Sequence, residues 1–183
     1  MVRTDRYDNL FKKIGEDVRI HQWCEITQPE LVEIENHVSI DGYVYFSVSA
    51  ELGSYIHIGN GVSVLGGPTG ELIMEDFTNI GSGSKIVVIS DDFTKGLINP
   101  IVPLKYRNLI GNKIIMRRFS LVGVNSVVLP YVEMAEGSVL AANSLLKKST
   151  EQWCIYGGSP ARKIGERDKE LILKGAKELG YCY

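Results

Sequence analysis

The sequence predicts an all-β protein: a solenoid of short parallel strands with one long inserted loop and one short C-terminal helix. Three observations carry this. An apolar residue recurs every six positions along most of the chain. Val and Ile together number 36 of the 183 residues, nearly all before residue 165, beside 19 glycines. That bias favours strands and turns over helices. Helical spacing appears only near the C-terminus.

The six-residue rhythm starts at Ile14, Ile20 and Ile26 and continues through Ile34, Ile40, Phe46, Leu52, Ile58 and Val64. A four-residue slip at Gly66–Gly70 resets the phase, and Met74, Ile80 and Ile86 follow. Ile110 resumes that phase and leads into Met116, Val122, Val128, Met134, Leu140 and Leu146. Four residues after many of these stands a small residue or Val: Val18, Cys24, Val38, Ala50, Val62, Ser84, Ser120, Ser126, Ser138 and Ser144. Gly follows the apolar residue at Gly15, Gly53, Gly59, Gly81, Gly111 and Gly123. The physical reading is a coil in which one residue per strand points into a narrow axial core. The next position takes a tight corner, where Gly tolerates φ > 0. Small residues let successive coils pack closely, and the backbones pair in a parallel ladder. A β-sandwich would instead need alternation at period two with turns every 8–12 residues.

The repeated [LIV]-G-x-x-x-x pattern resembles the hexapeptide-repeat acyltransferases, over about residues 14–165. The resemblance implies a left-handed parallel β-helix, a hand that the repeat alone does not fix, since parallel crossovers are normally right-handed. It also implies one acyltransferase domain over 1–183, a homotrimer with sites between subunits, and acetyl-CoA or another acyl-CoA as donor.

Two interruptions and a tail complete the chain. The segment from about 90 to 109 holds two prolines, Asp91-Asp92 and Lys105-Tyr106-Arg107. It is too long for a corner, and long irregular loops in compact domains are usually functional or disordered. In the family's sugar acetyltransferases a loop here helps cover a neighbour's active site. The insertion Leu65–Glu71 reads as a short turn of little consequence. After Leu146 come Lys147-Lys148-Ser149-Thr150 and then Gly158-Ser159-Pro160-Ala161-Arg162, similar to the family's signature after the last coils. Leu171, Leu173, Ala176 and Leu179 approach helical spacing and predict a helix from about 166 to 180, a solvated cap on the coil.

Composition narrows the function. A net charge of −2 shows no basic excess for nucleic acid. The polar start MVRTDRYDNLFKK reads without a signal peptide, and no apolar run approaches the roughly 18 residues of a membrane helix. Three scattered cysteines suggest neither a disulfide framework nor a zinc knuckle, and fit a reducing cytoplasm.

Site residues follow from the resemblance. Gly123, Val124, Ala141 and Ala142 match backbone contacts to the pantetheine arm. Lys147, Lys148 and Arg162 match basic contacts to the nucleotide end, where cations would meet phosphates; for adjacent lysines the plain alternative is a solvated face. The family's galactoside and maltose acetyltransferases keep a histidine where the loop leaves the coil, and this chain has Asp91 there. A solvated Asp, with an unperturbed pKa of about 3.9, is a poor base at neutral pH. Asp91 is read in three ways: as a base raised by repulsion from Asp92, as a group that orients the acceptor, or as a loop acid without a role. An amine acceptor needs no strong base, because its neutral form attacks the thioester directly. The missing histidine therefore favours an amino over a hydroxyl acceptor on the sugar, and the resemblance implies an amino sugar on a nucleotide carrier, in surface glycan synthesis. Asp92, Tyr106 and Arg107 are candidates for contact with the sugar or its diphosphate, with loop anchoring as the alternative for the basic cluster. Of the three histidines, His21 and His37 belong to early coils. His57 should point outward and is the second catalytic candidate. Two other readings stay open: a zinc lyase like the γ-class carbonic anhydrases, for which the close His pairing is missing, and a non-catalytic trimeric scaffold. No metal site is expected.

Overall fold

The computed structural model describes Tyr7 and residues 9–182; part of the polar start discussed above lies outside them. Among the described residues the chain winds as a β-solenoid with three parallel faces. The first face stacks Lys13–Ile14, Val32–Ile34, Ser49–Leu52, Glu71–Met74, Lys113–Met116 and Glu133–Met134. The second stacks Arg19–Ile20, Val38–Ile40, Ile56–Ile58, Asn79–Ile80, Leu121–Val122, Val139–Leu140 and Cys154–Gly158, with Ala161–Glu166 folded back antiparallel at its end. The third stacks Glu25–Ile26, Tyr45–Phe46, Ser63–Leu65, Lys85–Val87, Val127–Val128 and Leu145–Leu146.

The repeat sets the register. Ile14, Ile34, Leu52, Met74, Met116 and Met134 are successive partners on the first face. Ile20, Ile40, Ile58, Ile80, Val122 and Leu140 are partners on the second. Ile26, Phe46, Val64, Ile86, Val128 and Leu146 do the same on the third. All are buried except Ile14, whose strand pairs on one side only among the described residues. The small residues four positions on are buried as well, and three of them form a hydroxyl ladder. Ser84 donates to the Gly123 carbonyl and accepts from the Ser126 amide; Ser126 donates to Ala141 and accepts from Ser144.

Three expectations need correction. Ile110 does not resume the core: it pairs antiparallel with Ser90 and is 36% exposed, and the next coil begins at Lys113. Of the glycines after the apolar residues only Gly111 has a positive φ, +101°; Gly15, Gly53, Gly59, Gly81 and Gly123 answer to close approach. A Cβ on Gly81 would lie 2.6 Å from the Val124 amide nitrogen, and one on Gly123 2.6 Å from that of Ala142. Positive φ comes two residues later, at Asp17, Tyr55, Gly61, Gly83 and Asn125. The helix, Lys169–Glu178 with Asp168 accepting from the Leu171 amide as its N-cap, does not cap the coil's end. It packs Ala176, Ile172 and Leu173 along the first-to-second corner, against Phe119 and Trp153.

That corner holds an aromatic column. His37, Tyr55, Phe77 and Phe119, all at positive φ, stack with ring centroids 4.6, 5.0 and 5.3 Å apart, and Tyr181 meets Tyr55 and Phe77 edge-on. At Gly137 the column loses a side chain, and the Trp153 ring lies where its Cβ would be. Arg167 locks the arrangement by donating to the carbonyls of Phe119 (2.6 Å) and Gly137 (2.8 Å).

Candidate active site

The second-to-third corner has the same backbone and different contents. Coil by coil it carries Trp23, Tyr43, Gly61, Gly83, Asn125 and Asn143 at the turn position. Between its C-terminal strands lie Gly123-Val124 and Ala141-Ala142. Gly123 donates to the Leu140 carbonyl and Asn143 to that of Val124, so the four residues sit on adjacent coils. No side chain among them is larger than Val, and Val124 and Ala142 are exposed, so this stretch of the corner is a trough of small side chains.

At its C-terminal end the trough meets a cleft of about 450 Å³. Lys147, Lys148 and Arg162 all line it, with Ser149, Tyr156 and Lys163. The turn Gly158–Ala161, with a cis Ser159–Pro160 bond, brings Arg162 over the end of the third face, and the Gly158 amide is fixed by Ser144. Lys147 and Lys148 form no ion pair among the described residues. Lys163, which sequence reasoning missed, pairs with Glu166 (2.8 Å) and Glu151 (3.5 Å). A site with two unpaired lysines and an arginine beside a side-chain-poor trough suits a polyphosphate with a long, thin tail.

The interruption is an ordered hairpin. Ser90–Gly96 pairs antiparallel with Arg107–Ile110. Asp91, at its mouth, receives both arms of the Arg107 fork, Nε to Oδ1 and Nη2 to Oδ2, each at 2.9 Å. The side chains are only 15% and 14% exposed, and the pairing raises the already high pKa of Arg107. The guanidinium thus anchors the hairpin and holds the carboxylate in place. Asp92 faces the other way, accepting from the Thr94 hydroxyl and amide and from Asn108. Those bonds, the Thr94 hydroxyl first, hold its carboxyl below the usual carboxylate range. Tyr106 is half exposed, with Lys105 over its ring at 4.8 Å.

A cleft of about 550 Å³ opens between this hairpin and the body, lined by Asp91, Arg107, Leu109, Val87 and Leu65. Gly66, Gly67, Pro68 and Thr69 form its other wall, so the insertion read as inconsequential shapes the site. Leu65 and Val87 precede Leu129 and Lys147 in the same column of the third face, so the hairpin cleft and the cationic cleft share one side of the solenoid. The hairpin's outer side is apolar and uncovered: Phe93 is 81% exposed and Ile101 88%.

The histidines lie elsewhere. His57 points outward on the second face, 3.0 Å from Asp41; His37 pairs with Asp17 at 3.2 Å on the aromatic corner. His21 packs against Trp23. No group of three or more metal-ligating side chains occurs among the described residues, and no described helix is long and apolar enough to cross a membrane.

No protein-family model matches the chain. It is 32% identical over 167 residues to the dTDP-4-amino-4,6-dideoxy-D-glucose acyltransferase of Escherichia coli, covering 88% of this chain and 85% of the relative. Among solved structures it is similar to AntD, an N-acyltransferase from Bacillus cereus seen with dTDP-4-amino-4,6-dideoxyglucose and coenzyme A. The TM-score there is 0.89 at 32% identity, over 94% of this chain and 92% of AntD. AntD has also been seen with dTDP and 3-hydroxybutyryl-CoA. A hexapeptide-repeat acetyltransferase from Vibrio cholerae, 20% identical over 87% of this chain and 76% of its own, shares the fold with a TM-score of 0.58. The solenoid register and these relatives agree: the chain belongs to the hexapeptide-repeat acyltransferases and is an acyltransferase.

Proposed function

We propose that this chain transfers an acyl group from acyl-coenzyme A to the amino group of a nucleotide-linked amino sugar. The observation that carries it is the gathering of Lys147, Lys148 and Arg162 in one cleft at the end of the bare Gly123–Ala142 trough. The chain also matches an acyltransferase of such a sugar, and an N-acyltransferase seen with one, over most of its length. The cations hold the donor's phosphates and the trough takes its pantetheine arm, with the thioester pointing toward the N-terminal coils.

The chemistry needs little from side chains beyond placement. The neutral amine attacks the thioester carbon, a C–N bond forms, the C–S bond breaks, and the proton leaving nitrogen ends on the departing sulfur. Asp91, fixed by Arg107, orients the amine or carries that proton. The enzyme works as a homotrimer, in which each apolar hairpin, led by Phe93 and Ile101, is covered by a neighbour and closes the acceptor site between subunits. The three free cysteines and the acyl-CoA donor suit a cytoplasmic enzyme making a precursor of surface glycans.

The test is release of free coenzyme A thiol from acetyl-CoA and from 3-hydroxybutyryl-CoA. The acceptors are dTDP-4-amino-4,6-dideoxyglucose and its 4-hydroxy counterpart. Release is expected with the amine only, rising with pH as the ammonium deprotonates. Equal release with the hydroxyl sugar, or none with either, would contradict the proposal.

A further inference from the structure

The trough continues toward the N-terminus past the acyl-transfer point, and its character changes there. At the turn position of the first two coils stand Trp23 and Tyr43, with ring centroids 5.2 Å apart. Trp23 is 56% exposed and Tyr43 62%, whereas Phe119 and Trp153 at the other corner are covered. They are not loose. His21 packs on Trp23 at 5.3 Å, its Nδ1 accepts from the Trp23 amide, and Gly42 lies close beside it, where a Cβ would press on the imidazole at 3.0 Å. Tyr43 is held at φ +60°. Above this platform the corner is bare: a Cβ on Gly61 would meet nothing within 4 Å. A cation stands beside that gap. Lys85 reaches back to the Gly61 carbonyl (3.1 Å) and forms no ion pair among the described residues.

We infer that Trp23 and Tyr43 form the stacking platform for the base of the acceptor's nucleotide, with Lys85 facing its diphosphate. This deepens the proposed acyl transfer and rests on it for the identity of the ligand. The order along one corner carries the argument. Donor phosphates bind at the C-terminal cationic cleft, and the thioester lies along Gly123 and Ala141. The acceptor must therefore approach from the remaining end. Four coil steps separate Asn143 from Tyr43, roughly 19 Å at the inter-strand spacing. That end offers an exposed, rigid aromatic face, then a lysine, then glycines with no side chains. A planar base, a diphosphate and a sugar require those chemistries in that sequence. Base–aromatic stacking tolerates any base, so the platform fixes position while other groups select the sugar.

Thymidine diphosphate, without sugar, is the probe. Titrated into the full-length protein, it should quench the emission of exposed Trp23; Trp153, 8% exposed, contributes little to that change. The quench should vanish in Trp23→Phe, which keeps a ring and the packing. Trp23→Ala and Tyr43→Ala should each weaken thymidine diphosphate binding about 5- to 100-fold, the range for loss of a stacked base partner. They should raise the acceptor KM while leaving coenzyme A affinity unchanged. Unaltered nucleotide affinity in both alanine variants overturns the inference. So does a quench that survives in Trp23→Phe, or loss of assembly in the alanine variants without loss of nucleotide binding. Nucleotide binding at Trp23 with no acyl transfer would uphold the platform and refute the enzymatic reading. Acyl transfer to the amino sugar with no such binding would do the reverse.

Discussion

Two corners of this solenoid share one backbone solution and use it oppositely. Both place a residue at positive φ in successive coils. At the first-to-second corner that residue is Asp17, then His37, Tyr55, Phe77 and Phe119, then Gly137 and Trp153; the rings stack, and the C-terminal helix covers the column. At the second-to-third corner, beyond Tyr43, it is Gly61, Gly83, Asn125 or Asn143, residues that reach the left-handed region at low cost, and no described helix or aromatic ring covers them. Aromatics in that region are costly, so their recurrence on one side points to a stabilising task. Small residues on the other leave backbone for a ligand. Where the second corner does turn aromatic, at Trp23 and Tyr43, the rings stay exposed, which is what sets them apart.

The largest expected effect lies on the covered corner. Phe119→Ala removes a stacked ring under the helix and should cost about 3–5 kcal/mol, read as a fall in Tm. Asn125→Gly, at the matching position of the open corner, should shift stability by less than about 1 kcal/mol. Equal losses would erase the distinction between the corners. Joint replacement of Lys148 and Arg162 by Ala should weaken coenzyme A binding at least about tenfold by calorimetry, as expected for lost charge-assisted bonds, with Tm unchanged. An unchanged affinity would leave the cationic cleft a solvated face.

Arg167→Ala removes the hydrogen bonds that Arg167 donates to the Phe119 and Gly137 carbonyls and should cost about 1–3 kcal/mol. Coenzyme A binding in the folded fraction should stay intact. Asp91→Asn should lower kcat about 10- to 100-fold with an amine acceptor, less than the 10²–10⁴-fold typical of a lost general base. A larger loss, with a pH limb that disappears in the variant, would make Asp91 the base. The smallest effect is in acid. Asp92 has a lowered pKa in the fold, so its contribution is present above the unfolded value of about 3.9 and is lost as pH falls through the folded one. Limited proteolysis should therefore find the hairpin unchanged from pH 8 to 5 and easier to cut below about pH 4.

What the sequence revealed and what it hid divides along the same line. The core was legible because one residue per strand must be apolar whatever the partner coil, so Ile34, Leu52 and Met74 announce themselves at fixed spacing. That Lys147, Lys148 and Arg162 gather in one cleft was legible through their setting after the last coils. The aromatic column was not, because its members lie 18, 22 and 42 residues apart in the chain. The insertions at Gly66–Gly70 and 90–110 break their period, and only the register aligns them. The Asp91–Arg107 pair was hidden for a related reason: a strand that returns antiparallel brings together residues whose spacing carries no signal. Ile110 misled because it fits the phase arithmetic while serving the hairpin.

The claim that the open corner is the substrate corner is tested most directly by amide hydrogen exchange of the full-length protein with and without coenzyme A and thymidine diphosphate together. Slowed exchange is predicted at 123–126, 141–149 and 158–163 from the donor and at 22–24 and 42–45 from the nucleotide. The aromatic corner at 54–56, 76–78 and 118–120 should not change. Protection confined to the aromatic corner, or none at the Gly123–Ala142 trough with coenzyme A bound, would contradict it.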